Sequence, residues 1–246
     1  MNIVYALLIS FFAGFSTLIG ALFIFLPIKK QNVNKFITFS LAFSSAIMIG
    51  ICITDLFPTS YFKLNNYYSN KTILIVIGLF TISYLLIKIL NLFLNKYENK
   101  LYKLGILSMI TLVLHNFPEG IITFLTSTTD IKLGIKLSLA IAMHNIPEGI
   151  AIAVPMYYAT KSIKSTIIKT FVSGISEPLG AIIAYVFLSK FMTEQLLSQI
   201  MIIVCGLMIT LAIEQMIPEA IKYKHKNFLK LGFICGVLVI IVGSLI

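Results

Sequence analysis

Two imidazoles and two carboxylates recur at one spacing inside apolar sequence. The segments are His115-Asn116-Phe117-Pro118-Glu119-Gly120 and His144-Asn145-Ile146-Pro147-Glu148-Gly149, with the histidines 29 residues apart. On a helix, residues i and i+4 share a face, so each His–Glu pair points one way. Two such helices side by side offer a set of two imidazoles and two carboxylates. Imidazole suits Zn, Cu, Fe and Ni, and carboxylate extends the range to Mn and Mg. No thiolate accompanies them, which argues against a tight structural zinc site. Asn116 and Asn145 lie about 100° round the helix from each histidine, so their amide oxygens can flank the same cavity. Pro118 and Pro147 each lack a backbone donor and are expected to loosen their helices, freeing the carbonyls of Leu114 and Met143. Gly120 and Gly149 permit close helix approach. Ser176-Glu177-Pro178 pairs a third carboxylate with a proline in apolar sequence. Ionised Glu119, Glu148 and Glu177 carry three negative charges, which one divalent ion reduces to one and two ions overcompensate by one. Such groups at membrane depth are costly and point to function. One or two divalent cations are therefore expected here, in competition with protons, because the ligands must be deprotonated to bind.

The elements that must position these groups are membrane helices. The chain has 246 residues, 59% hydrophobic and 11% charged. Its mean hydropathy is +0.99. A soluble domain carries about 25% charged residues. Apolar stretches of about 20 residues are long enough to cross a bilayer core as helix. Eight spans are expected, near 3–27, 36–57, 73–94, 104–128, 133–158, 166–189, 199–221 and 228–246, forming one all-α membrane domain over 1–246. Short connections make neighbouring helices antiparallel. The first span is read as a membrane helix rather than a cleaved signal, because it lacks a basic leader and a small-residue cleavage site.

Lysine supplies all 19 basic side chains. The first, third, fifth and seventh loops hold twelve: Lys29, Lys30, Lys35, Lys96, Lys100, Lys103, Lys161, Lys164, Lys222, Lys224, Lys226 and Lys230. The second, fourth and sixth hold five: Lys63, Lys71, Lys132, Lys136 and Lys190. The excess of positive loops marks the cytoplasmic side, so both termini are expected outside. The net charge of +10 fits loop lysines meeting anionic headgroups and does not require nucleic acid. Carboxylates follow the opposite rule. Only Glu98, Asp130 and Glu194 fall in loops, while Asp55, Glu119, Glu148, Glu177, Glu214 and Glu219 lie within or at the ends of spans. A cation site or path accounts for that asymmetry. Asp55 and Glu214 sit at span ends, where vestibule, capping and snorkelling roles are all open. Cys52, Cys205 and Cys235 lie in apolar segments without CxxC spacing and read as packing residues. Tyr61, Phe62, Tyr67 and Tyr68 read as an interfacial belt in a loop. Gly232 and Gly236 form a small-xxx-small pattern suited to helix packing within the chain or in a homodimer, the first use being the one expected.

With these residues in view, the sequence resembles the ZIP family of zinc- and iron-related transporters, closest to its bacterial zinc-uptake subgroup. The resemblance covers essentially the whole chain: the doubled HNxPEG in spans four and five, Glu177 in span six, and Phe15–Ala21 and Phe39–Phe43 in spans one and two. It implies a binuclear site midway across the membrane. His115, Glu119, His144 and Glu148 would hold one metal. Asn116, Asn145 and Glu177 would hold the second, with Glu119 and Glu148 bridging. It also implies that spans one, four, five and six move against the other four. Many relatives carry a His-rich loop between spans three and four, whereas Asn95–Lys103 is short, basic and without histidine. A metal-sensing loop is therefore not expected.

The leading expectation is a multi-pass transporter in a bacterial inner membrane. It would import zinc, with iron, manganese, cobalt and cadmium as further candidates. The metal is then substrate, and no cofactor is expected. A membrane-embedded metallohydrolase is the alternative; it needs an open metal position and a general base, and no HExxH motif is present. A bis-histidine haem subunit leaves the two glutamates at i+4 unexplained.

Overall fold

The computed structural model describes residues 2–188 and 193–243, so Lys190 and the far ends of the sixth and eighth expected spans lie outside the described residues. The described residues are helical throughout, without strands: α1 (Asn2–Ala21), α2 (Val33–Ile51), α3 (Phe57–Tyr68), α4 (Thr72–Phe93), α5 (Lys100–Thr129), α6 (Ile131–Thr160), α7 (Ile163–Ile183), α8 (Glu194–Leu211), α9 (Ile217–Lys222) and α10 (Lys226–Gly243). Among the described residues, seven helical stretches are long and apolar enough to cross a membrane. The second of them, Lys30–Lys96, has 67 residues. A straight helix of that length would measure about 100 Å, three times a bilayer core. It is interrupted at Ser69, whose φ is 48°, and α4 packs back against α3 and α8. Large apolar side chains such as Leu74, Leu92 and Phe93 of α4 and Ile234 and Leu238 of α10 stay exposed. That is the outer surface of a protein solvated by lipid tails.

Asp130 explains why the two motif copies meet. It alone separates α5 from α6, and its carboxylate accepts from the amides of Lys132 and Leu133 as the N-cap of α6. His115 lies 15 residues before it and His144 lies 14 after it. At 1.5 Å per residue both histidines stand about 21–23 Å from the turn, at one depth. Because the helices run in opposite directions, Glu119 then lies one turn nearer the Asp130 end and Glu148 one turn farther from it.

Helices α1, α5, α6 and α7 pack on one another as a group, and so do α2 with α10 and α4 and α3 with α8. The first group is held by backbone approach at glycine. A Cβ on Gly120 would strike the carbonyl of Glu177, and one on Gly180 would strike the carbonyl of Phe117. The second copy repeats the arrangement on α1. A Cβ on Gly149 would meet the carbonyl of Thr17, and one on Gly20 the carbonyl of Ile146. The amides follow the same rule: Asn116 Nδ2 donates to the Ser173 carbonyl at 3.2 Å and Asn145 Nδ2 to the Ala13 carbonyl at 3.0 Å. Positions 13, 17 and 20 of α1 thus stand to α6 as 173, 177 and 180 of α7 stand to α5, a local pseudo-two-fold. The two groups meet through an apolar core that includes Ile37, Leu41, Leu104, Leu107, Ile150 and Leu211.

Two expectations change and one holds. The prolines of the doubled motif do not break their helices: α5 and α6 run through Pro118, Pro147 and Pro155 as α-helix. Their neighbours supply the rigidity, since the backbones there are clamped by α7 and α1. The loosening occurs elsewhere, as π-turns at Cys52–Leu56 and Ala212–Met216, just ahead of Pro58 and Pro218. A widened turn absorbs a residue that the proline ring would otherwise clash with. As a result the aromatic segment after Pro58 is helix α3 rather than a loop, and Tyr68 accepts hydrogen bonds from Gln195 and Gln199 of α8. Gly232 and Gly236 serve packing inside the chain, where Cβ atoms would meet Phe39, Ala42, Phe43 and Ala46 of α2.

These contacts predict opposite outcomes for two glycines. Gly120→Ala should lower the melting temperature in detergent, by about 1–3 kcal/mol of strain. Gly78→Ala, where an added Cβ meets nothing within 4 Å, should leave it unchanged or raise it by up to about 1 kcal/mol. Thermal unfolding followed by circular dichroism checks both.

Candidate metal centre

The duplicated motif forms one cluster. His115 Nε2 stands 3.3 Å from Glu119 Oε1 and 3.4 Å from Glu148 Oε1, and His144 Nε2 stands 3.3 Å from the same Glu119 Oε1. The imidazole centroids are 6.1 Å apart. Donor atoms of His115, Glu119 and His144 all lie within 4.8 Å of one another. For metal–ligand bonds of about 2.0–2.1 Å, tetrahedral angles place neighbouring donors about 3.4 Å apart. The observed separations have that spacing. The residues are buried, His144 being the most exposed at 9% and Glu148 at 0%.

The pairing differs from the sequence picture in one respect. His115 pairs with the glutamate of its own helix and with Glu148 across the gap, whereas His144 pairs with Glu119 across the gap. Antiparallel packing produces this, because it puts Glu119 and Glu148 on opposite sides of the histidine level.

Glu177 and the two asparagines lie beside the cluster. Asn145 Nδ2 donates to Glu177 Oε2 at 2.9 Å as well as to Ala13. With both amide nitrogens engaged on carbonyls, Asn116 Oδ1 and Asn145 Oδ1 are left as buried acceptors without a hydrogen-bond donor. Glu119 Oε2, Glu177 Oε1 and both carboxylate oxygens of Glu148 are left in the same way. Buried acceptors without donors are costly. Six oxygens of this kind in one region fit a cation better than they fit a protein interior.

A cavity of about 670 Å³ leads to one side of the cluster. Glu119 and His144 line its inner end, Asp55, Thr59 and Ser60 its wall, and Lys63 and Glu194 its outer end. Glu148 and Glu177 do not line it. Asp55 is therefore brought to the path leading to the cluster. Glu214 is not: it pairs with Lys88 at 2.8 Å on the flank of α4. Glu219 pairs with Lys222 one turn on. Sequence reading did not find Ser44, whose hydroxyl donates to the Pro147 carbonyl at 2.7 Å; a serine in an apolar helix gives no signal of a contact 103 residues away.

Comparison with known proteins gives a consistent result. The family model described as ZIP Zinc transporter matches residues 95–244. The chain is similar to the zinc transporter ZupT of Oceanobacillus iheyensis, with 36% identity over 100% of this chain and 98% of that protein. It is similar also to those of Streptococcus mutans, with 34% identity over 98% of this chain and 97% of the relative, and Chlorobium chlorochromatii, with 32% identity over 100% and 98%.

Two substitutions should move metal-free stability in opposite directions. Glu148→Gln removes a buried charge and should raise the melting temperature of chelator-treated protein, by on the order of 1 kcal/mol or more. Asn145→Ala leaves Glu177 Oε2 without its donor and should lower it, by about 1–3 kcal/mol. Melts in excess chelator decide each sign.

Proposed function

Because the chain belongs to the ZIP zinc-transporter family, we propose that it imports divalent metal ions, zinc foremost, across the bacterial inner membrane. Family members are transporters, not enzymes, so the metal is cargo. The observation that carries the reading is the buried cluster itself: imidazoles and carboxylates at coordination spacing, reached by a cavity from one side. His115, Glu119, His144 and Glu148 hold one ion. Asn116, Asn145 and Glu177 hold a second through their donor-free oxygens, with Glu119 and Glu148 shared. Iron, manganese, cobalt and cadmium are further candidate cargoes, since imidazole with carboxylate accepts them all.

The stretch Lys30–Lys96 counts as two spans folded at Ser69, giving eight spans with both termini outside. The cavity opens among the C-terminal ends of α2, α5 and α10, the first half of α3, the N-terminal half of α6 and the N-terminal end of α8. That is the lysine-poor side, which the positive-inside rule makes external. The described conformation is thus the one that loads metal from outside. Leu104, Leu107, Ile150 and Ile152 are buried in the apolar core beyond the histidine level, and in this reading they close the inward path. Release follows when α1, α5, α6 and α7 shift as a unit against the remaining helices.

Uptake into proteoliposomes tests this reading. Zinc entry should fall at least tenfold in Glu119→Ala and clearly in Glu177→Ala, with both proteins folded. Unchanged uptake in both would refute the site. Zinc affinity should weaken as pH falls from 7 to 5, because the proton competes for the imidazole and carboxylate ligands; a flat profile would contradict it.

A further inference from the structure

The outer end of the cavity carries a charge arrangement that import of cations does not by itself require. Lys63 of α3 is the only lysine among the described residues lining the cavity; the acidic side chains there are Asp55, Glu119 and Glu194. Its ammonium stands 3.2 Å from Glu194 Oε1, in the first turn of α8, with side-chain exposures of 46% and 56%. Tyr67 donates to Glu194 Oε2 at 3.4 Å. A lysine repels a divalent cation. Its position at the mouth therefore needs a reason.

A mechanical latch between α3 and α8 is a poor reason. Ion pairs this exposed hold helices together weakly, and salt weakens them further. The same helices are already joined by Tyr68, which accepts from Gln195 and Gln199. The electrostatic consequence is larger. A cleft with low-dielectric walls focuses field, and charges at its rim alter the rate and concentration at which ions enter.

We propose that Lys63 is a tethered, displaceable counter-cation that sets how strongly divalent ions are drawn into the cavity. Its ammonium occupies Glu194 and offsets its charge. A monovalent cation gains little by competing for that carboxylate, whereas a divalent ion displaces the lysine and moves on toward Asp55 and Glu119. The pair is an entry filter, acting before the buried cluster is reached. Its size follows from Coulomb's law: one unit charge acting on a divalent ion about 10 Å away through water changes local concentration about fourfold without salt, and less than twofold at 0.15 M.

The proposal rests on the transport reading for its uptake assay alone. In proteoliposomes, Lys63→Gln should lower the KM for zinc about threefold at low ionic strength, with kcat within a factor of two. The difference should vanish as potassium chloride rises to 0.3 M. Lys63→Arg should behave as wild type. Glu194→Gln should raise KM, and the double variant Lys63→Gln/Glu194→Gln should return toward wild type. A latch would instead change kcat and leave KM unaltered, and that pattern would overturn the proposal, as would an unchanged KM for Lys63→Gln at low salt. The rate of zinc association with detergent-solubilised protein, followed by stopped-flow with a fluorescent zinc indicator, gives a second readout. It should rise in Lys63→Gln even if no variant transports. Loss of Glu119-dependent uptake in the wild type would refute transport, while an unaltered association rate in Lys63→Gln would refute the filter.

Discussion

Three carboxylates and two imidazoles lie where no water reaches most of them, and the rest of the molecule is arranged around that constraint. Removing an ionised carboxylate from water costs several kcal/mol even after the protein relaxes. Such groups stay buried together only if something positive is meant to join them. The asparagines follow from the same requirement. Each turns its amide nitrogen to a backbone carbonyl of a neighbouring helix and leaves its oxygen buried without a donor. The glycines follow too, since only helices in backbone contact bring side chains as short as Asn and Glu into one site.

The pseudo-two-fold shows how one short motif serves twice. On α5 it docks against α7, and on α6 against α1, with the same amide and glycine contacts in each case. The symmetry is broken where it matters chemically: Glu177 on α7 is matched on α1 by Thr17, which is buried and neutral. One flank of the cluster therefore has a third carboxylate and the other a hydroxyl. The cavity reaches the cluster at Glu119 and His144 and leaves Glu148 and Glu177 on the sealed side.

Much of this was legible in the sequence. The repeated His–Glu spacing announced a shared site. The single residue Asp130, centred between the two histidines, contains the information that they lie level. Composition and apolar lengths fixed an all-helical membrane protein. What could not be read was cross-helix pairing. Periodicity places His144 and Glu148 on one face but does not say that His144 pairs with Glu119, because that depends on antiparallel packing. The effect of the prolines was misjudged for a related reason. Proline's missing donor is a local property, yet whether the helix yields depends on neighbours, and α7 and α1 hold α5 and α6 straight. Pro58 and Pro218 lack that support and follow π-turns. Ser44 and the Lys63–Glu194 pair are contacts between distant segments, to which no local pattern points.

The Ser44 hydroxyl has a consequence for the proposed movement of one helix group against the other. Among the described residues, it makes a side-chain hydrogen bond between α2 and the motif helices, and the surrounding core is apolar. Apolar contact is non-directional, so such surfaces exchange partners with little penalty for any intermediate register. A single directional bond on an otherwise smooth track behaves as a detent. It defines one resting position, resists departure from it by a small and fixed amount, and offers no further resistance once passed. The bond ends on Pro147, inside the motif proposed to hold the ion, so the stop would be engaged at the site itself rather than at the periphery of the moving part.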